Sequence, residues 1–297
     1  MKILITGGTG FIGQHFIRRR LAVNDEIYCL TRDQDRAQHL FQGTVEVISA
    51  LSELEGIPLD AVINLAGEPI LDKRWSKERK ELLYSSRVEL TNDIVKWLAQ
   101  LSVKPKVLIS GSAIGYYGSQ LDEELGEESP CNSGFTHQLC LAWENAALQA
   151  ERLGIRVCLL RTGIVLGEGG ALAKMEMPFK LGLGGAIGAG KQWMSWIHID
   201  DQIEIIEMLL THEQFSGAFN LTAPETVTNK EFSSTLGHVL HRPTVLPMPV
   251  CILKLILGEG AELLTEGQRV VPKNLLDSGY KFNYPKLEQA LASIYRN

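Results

Sequence analysis

Short apolar runs alternate with stretches whose apolar residues recur every three or four positions, and this alternation organises the first half of the chain. The first run is Met1, Ile3, Leu4 and Ile5, broken once by Lys2. Ile12, Phe16, Ile17 and Leu21 then repeat at helical spacing. Five further strands are predicted, at 26–31, 45–48, 60–67, 107–110 and 155–161. A long helix is predicted over 76–101, with Leu83, Leu90, Ile94, Trp97 and Leu101 on one stripe, and 143–153 reads as the rear of another. Apolar strands separated by amphipathic helices predict the α/β class, a doubly wound and mostly parallel sheet covered on both faces.

The pattern changes after Gly163. The stretch from Gly163 to Gly190 holds nine glycines and is expected to be mobile and closely packed. From about Thr222 onward, Pro224, Pro243, Pro247, Pro249, Pro272 and Pro285 punctuate short helices and small strands. The organisation expected is a domain over 1–165, completed by 195–222, with a smaller lobe from 166–194 and 223–297. That lobe belongs at the carboxyl edge of the sheet, where ligands of open α/β folds bind. No internal repeat or low-complexity tract is present.

Composition narrows the class without changing the fold. The 297 residues are 45% hydrophobic and 22% charged, which is ordinary for a globular protein. A net charge of −6 and a pI near 5.7 leave no basic face for a nucleic acid, and Arg18-Arg19-Arg20 reads as a solvated helix surface. The five cysteines (Cys29, Cys131, Cys140, Cys158, Cys251) show no CxxC spacing and read as reduced thiols. The N-terminal apolar run ends in a glycine turn rather than a cleavage site, and the run at 252–257 is too short to span a bilayer. The sequence therefore reads as cytoplasmic, with no membrane partner.

The chemistry is concentrated at Thr6-Gly7-Gly8-Thr9-Gly10-Phe11-Ile12-Gly13, between the first strand and the first helix. A dinucleotide pyrophosphate needs this order: one glycine to turn the chain at positive φ, one to let backbone approach the phosphates, and one to seat the helix on the strand. Gly7, Gly10 and Gly13, with the backbone of Phe11 and Ile12 at the helix start, are the candidate pyrophosphate site. At the tip of the second strand stand Thr31 and Arg32. A hydroxyl beside a guanidinium suits a ribose 2′-phosphate, which selects NADP(H); the competing reading makes Asp33 the ribose acid of an NAD site. Leu65, Ala66 and Gly67 close the fourth strand with a thin wall. Arg87 lies on the buried stripe of the long helix. Its partner is a cofactor phosphate or Glu68, unless its stem snorkels outward.

The chain resembles the extended short-chain dehydrogenase/reductases, and within them an atypical branch, the YfcH-like epimerase-family proteins. The motifs carrying the resemblance are TGGTGFIG (6–13), LTR (30–32), VINLAGEPI (62–70), RW (74–75), SSR (85–87), SGSAIGYYG (110–118) and WE (143–144). They continue as RTGIVLG (161–167), GLGGAIGAGKQWMSWIHIDD (182–201) and LLTEGQRVVP (263–272). Coverage is end to end. The resemblance implies a nucleotide-binding protein with Val165 on the nicotinamide side, and analogy points to a homodimer through the helices flanking the central strand, 76–101 among them.

Relatives of the wider superfamily use a Tyr-x-x-x-Lys pair for proton transfer, and this chain lacks it. No lysine lies between Lys106 and Lys174, and no tyrosine between Tyr117 and Tyr280. With Glu144 as anchor, Thr136 and Cys140 occupy the two positions. Ser112 is the candidate for the surviving serine, with Ser110 as runner-up. Tyr116 and Tyr117 are candidate phenols, and His137 is a candidate ionisable group. Trp196 and His198 are read as pocket lining or, for His198 and Asp201, as a structural helix start. Two functions follow. One is an NADP(H)-dependent epimerase or oxidoreductase acting on an unidentified small carbonyl or sugar-like substrate. The other is a non-catalytic NADP(H)-binding protein acting through protein contacts, since relatives with these motifs are linked to bacterial and plastid division.

Overall fold

The computed structural model describes residues 1–120 and 122–295. Its centre is a seven-stranded sheet built from β1 (Lys2–Thr6), β2 (Glu26–Leu30), β3 (Glu46–Ile48), β4 (Ala61–Asn64), β5 (Val107–Ala113), β6 (Arg156–Thr162) and β7 (Gly217–Leu221). Their order is β7-β6-β5-β4-β1-β2-β3, and every neighbouring pair is parallel. The chain reverses its direction of travel across the sheet between β1 and β4, which opens a crevice at their carboxyl ends. Seven parallel strands, the central ones buried on both faces, match the doubly wound class expected from the apolar pattern.

Side-chain alternation divides the core in two. Ile3, Ile5, Ala61, Ile63 and Ile109 join α1 (Phe11–Leu21), through Phe16 and Ile17, on one face. Leu4, Val62 and Leu108 point the other way, onto Ile94, Val95 and Leu98. Burial on both faces explains why these strands read as continuous apolar runs rather than alternating ones.

Several elements depart from the sequence reading. Helix 76–101 is not uniform: α3 (Lys77–Tyr84) and α4 (Leu90–Gln100) are joined by a π-helical turn at Ser85–Glu89. The glycine-rich stretch, expected to be mobile, contains an eleven-residue helix at Gly170–Lys180. β7 has no strand counterpart in the sequence reading, because Gly217 and Asn220 break its apolar run.

A third hydrophobic cluster lies apart from these two faces. Leu166, Leu172, Phe179, Trp196, Phe232 and Leu291 pack there, and strand Ile164–Leu166 pairs with Trp196–His198. Trp196 is 0% exposed, so it belongs to this core and not to a pocket wall. The apolar run near the C-terminus forms a surface helix, Val250–Leu257, with no buried residue. Among the described residues no helix is long and apolar enough to cross a membrane.

Candidate functional site

The glycine turn caps β1 at the crevice, and each glycine has a separate reason. Gly7 adopts φ +70°, and a Cβ there would stand 2.6 Å from the carbonyl of Leu65. A Cβ on Gly13 would stand 2.3 Å from the Gly7 oxygen. Side chains are excluded at both positions, so the turn, α1 and the end of β4 close up together. Gly10 is exposed and donates its N–H to the Gly7 oxygen at 3.0 Å. No side chain caps α1 and no acidic residue lies in its first turn. Its free N–H groups and the positive end of its dipole therefore face the crevice at Phe11 and Ile12.

A buried polar net fixes the strand ends beneath this turn. The Thr6 hydroxyl donates to Asn64 Oδ1 at 2.7 Å, and Asn64 Nδ2 donates to Thr91 Oγ1 at 2.8 Å and to Ser110 Oγ at 3.3 Å. Thr91 also accepts from the Trp143 indole at 3.0 Å and donates to the Arg87 carbonyl at 2.6 Å. That last bond satisfies a carbonyl inside the π turn. Ser110 is therefore committed to the net.

Three arginines converge on one residue beside the crevice. Arg32, just past β2, donates to Glu68 Oε1 at 2.8 Å, and Arg79 donates to Oε2 at 3.3 Å. Arg87 donates instead to the Glu68 carbonyl at 2.8 Å and to the Leu83 carbonyl at 3.2 Å. Among the described residues Arg87 has no carboxylate partner, and burial draws its pKa below the ordinary value. A Cβ on Gly67 would meet the Arg87 guanidinium at 2.8 Å, so Gly67 leaves room for that group. Three guanidinium groups therefore gather around one carboxylate at the crevice wall. Hydrogen bonds from Arg32 and, to a smaller extent, from Arg79 hold the Glu68 carboxyl below its ordinary pKa.

The remaining predicted cofactor residues sit as follows. Thr31 is half-buried and its Oγ1 accepts from the Asp33 N–H at 3.2 Å. The Asp33 carboxylate accepts from the Arg36 N–H at 3.0 Å as N-cap of α2 (Gln34–Phe41), a structural use that competes with ribose binding. Leu65 and Ala66 are half-buried and Gly67 is exposed along the crevice. Val165 is buried on strand Ile164–Leu166. Arg36, unremarked in the sequence, donates to the Thr9 carbonyl at 3.4 Å and adds another cation to the loop.

At the carboxyl end of β5 a second buried net appears. Ser112 donates to Glu144 Oε1 at 2.6 Å, and Arg161 grips both Glu144 oxygens at 2.9 Å each. Arg161 also donates to the Tyr117 hydroxyl at 3.1 Å and the Glu127 carbonyl at 2.8 Å. Tyr117 donates to Asn220 Oδ1 at 2.6 Å, is 0% exposed, and is pushed up by burial to a pKa of about 12. Its phenol faces no open space. Tyr116 is half-buried with the Arg161 guanidinium 3.5 Å above its ring; burial raises its pKa and Arg161 opposes the rise.

Thr136 and Cys140 lie on α5 (Phe135–Leu148), against Gly115. Burial first, and then Glu144, push the Cys140 thiol to about 12, so it is neutral at physiological pH. His137 is held by the Tyr116 carbonyl through Nδ1. His198 caps helix Ile199–Thr211, its Nδ1 accepting from the Asp200 N–H at 3.1 Å, while Asp201 accepts from the Asn283 and Tyr284 N–H groups. Both serve the fold. A hollow of about 490 Å³, lined among others by Trp75, Lys80, Tyr84, Phe135 and Glu259, lies beside the start of α5 rather than over the glycine turn.

The sequence reading missed Arg161 and gave Glu144 no role beyond an anchor. The available signal was an arginine directly after the apolar run 157–160, since a buried guanidinium demands a buried anion.

The chain resembles known proteins over its whole length. The family model described as "NAD dependent epimerase/dehydratase family" matches residues 3–222, and a "Domain of unknown function (DUF1731)" matches residues 248–294. The chain is 40% identical over 302 residues to "Epimerase family protein SDR39U1 homolog, chloroplastic" of Arabidopsis thaliana, covering 99% of this chain and 86% of that one. It is 38% identical over 297 residues to "Epimerase family protein YfhF" of Bacillus subtilis, covering 99% and 98%. The crystal structure of human epimerase family protein SDR39U1 (isoform 2) with NADPH superposes with a TM-score of 0.89 at 35% identity, covering 100% of both chains. A parallel Rossmann-type sheet, a glycine turn that excludes side chains and end-to-end relatives all agree, and the chain belongs to the NAD dependent epimerase/dehydratase family.

Proposed function

We propose that this protein binds NADP(H) across the β1–β4 crevice and uses it to oxidise, reduce or epimerise a small carbonyl or sugar-like substrate. The observation that carries the cofactor reading is the excess of guanidinium groups around Glu68. Arg32, Arg79 and Arg87 bring three positive charges to one carboxylate, and a ligand with a diphosphate and a 2′-phosphate supplies the missing negative charge. Gly7, Gly10, Gly13 and the N–H groups at Phe11 and Ile12 would hold the diphosphate, and Thr31 and Arg32 the 2′-phosphate. The NADPH in the human relative's crystal structure supports the same choice.

When bound, the nicotinamide supplies or accepts the hydride. The protein's own part is the proton. Ser112 gives its hydrogen to Glu144 at 2.6 Å, so its oxygen is left to accept a hydrogen bond from a substrate hydroxyl. Tyr116, a neutral phenol at physiological pH, is the donor suited to a substrate carbonyl. Tyr117 holds Arg161 in place from beneath.

The test is transfer of deuterium from each stereospecifically labelled NADPH to a panel of small carbonyl and nucleotide-sugar substrates. Label in a product carries the enzyme reading. Tight NADPH binding with no transfer across the panel would overturn it.

A further inference from the structure

Arg32 and Glu68 stand on opposite sides of the glycine turn. Arg32 follows β2 and Glu68 follows β4, and both strands pair with β1. Two strand spacings, about 9.6 Å, separate those strands. The 2.8 Å ion pair therefore spans the mouth of the crevice above the end of β1. Its two ends are held very differently. The Glu68 N–H donates to Ser86 Oγ at 3.1 Å, its carbonyl accepts from Arg87, and its second carboxylate oxygen accepts from buried Arg79. Arg32 is 83% exposed and, among the described residues, has no comparable anchor. When the pair opens, the arginine is the part that moves.

We infer that Glu68 sets the preference between phosphorylated and unphosphorylated dinucleotides, by competing with the ribose 2′-phosphate for the Arg32 guanidinium. This rests on the NADP(H) reading above. A phosphate monoester carries about −1.5 to −2 charge at neutral pH and three strong acceptor oxygens, so it can displace a carboxylate from a forked guanidinium. A ribose hydroxyl cannot. The contest costs NADP(H) the strength of an exposed ion pair and leaves NAD(H) unaffected. Glu68 thus tempers the affinity for the phosphorylated form.

Calorimetric titration of NADPH and NADH into the wild type, E68Q, R32A and the R32A/E68Q double variant tests this. E68Q should lower the NADPH dissociation constant about two- to five-fold, the range expected from releasing an exposed pair, with NADH unchanged. The gain should disappear in the R32A background. Because E68Q also leaves buried Arg79 without its counter-ion, E68D serves as a second variant. It keeps the charge for Arg79 while falling one methylene short of Arg32, and it should move NADPH binding in the same direction. If E68Q and E68D leave the NADPH constant unmoved, or shift both dinucleotides together, Glu68 has no such role. If R32A leaves the ratio of the two constants unchanged, it is the 2′-phosphate assignment itself that fails.

Discussion

Replacing Glu144 with alanine tests whether the net under Ser112 is held together by charge. Both partners are buried, Glu144 at 4% exposure and Arg161 at 5%, and the guanidinium meets the carboxylate through two bonds of 2.9 Å. Burial alone would lower the Arg161 pKa, but the Glu144 contacts more than offset it and the net shift is upward. In E144A that cation stays buried without its counter-ion, a loss of about 3–5 kcal/mol. Bonds from Arg161 to the Tyr117 hydroxyl and the Glu127 carbonyl remain and place the expected cost toward the lower end. With roughly 2–4 °C of melting temperature per kcal/mol for a chain of this size, the midpoint should fall by about 6–20 °C in differential scanning calorimetry. The E144A/R161M variant removes both charges and should recover much of the loss, because an apolar pair replaces a buried ionic one at little cost. A fall of under about 2 °C in E144A, or a double variant as unstable as the sum of its singles, would refute a charge-held net.

Two further outcomes follow from packing and burial. Gly13→Ala puts a Cβ 2.3 Å from the Gly7 oxygen and 2.7 Å from the Gly8 Cα. It should push α1 off the turn and abolish NADPH binding by fluorescence titration, while far-ultraviolet circular dichroism stays near wild type. Unchanged affinity would show that the helix seat is not part of the binding site. Stability should also decline in alkali. Burial raises Cys29 and Cys158 to about 11 and Cys140 to about 12 from 9.0, and Tyr117 to about 12 from 10.0. Each folded value exceeds the unfolded one, so its contribution is complete below about pH 9 and is lost between about pH 9 and 12. A melting temperature that stays flat from pH 9 to 11 would contradict this burial.

The legible parts of the molecule were those whose causes are local. The turn at Gly7–Gly13 could be read because positive φ and close backbone approach each demand glycine at a fixed offset. Strands β1, β4 and β5 could be read because burial on two faces gives each a continuous apolar run, with polar residues confined to its ends or its carboxyl half. The π turn was overlooked although it leaves a trace: Leu83 and Val88 are both buried yet five residues apart, a spacing that diverges on an α-helix and faces one way on a π-helix. Through-space partnerships left no such trace. Ser112, Glu144 and Arg161 come from a strand, a helix and another strand, and only the sheet order brings them together. Trp196 misled because a tryptophan following a glycine-rich stretch looks like a pocket wall, whereas here the ring is buried in a hydrophobic cluster with Leu166, Phe179 and Phe232.

The absent lysine leaves a buried position that another cation approaches. Cys140 occupies its usual position on α5, and the Arg87 guanidinium reaches the same neighbourhood from the π turn. It lies 5.4 Å from the Trp143 ring, one turn along α5, and opposes the upward push of burial and Glu144 on the Cys140 thiol. One cation already serves this region, so a second should be rejected. C140K should be strongly destabilised: its ammonium would be buried beside Arg87, and Glu144 is already taken by Arg161 and Ser112. In an R87M background the repulsion is gone, and the substitution should cost about 0.5–3 kcal/mol less, the range found for directly interacting residues. Thermal denaturation of the two single variants and the double variant measures that coupling. If the costs simply add, to within about 0.5 kcal/mol, then Arg87 and Cys140 act independently, and the arginine did not take over the electrostatic place that lysine holds in the wider superfamily.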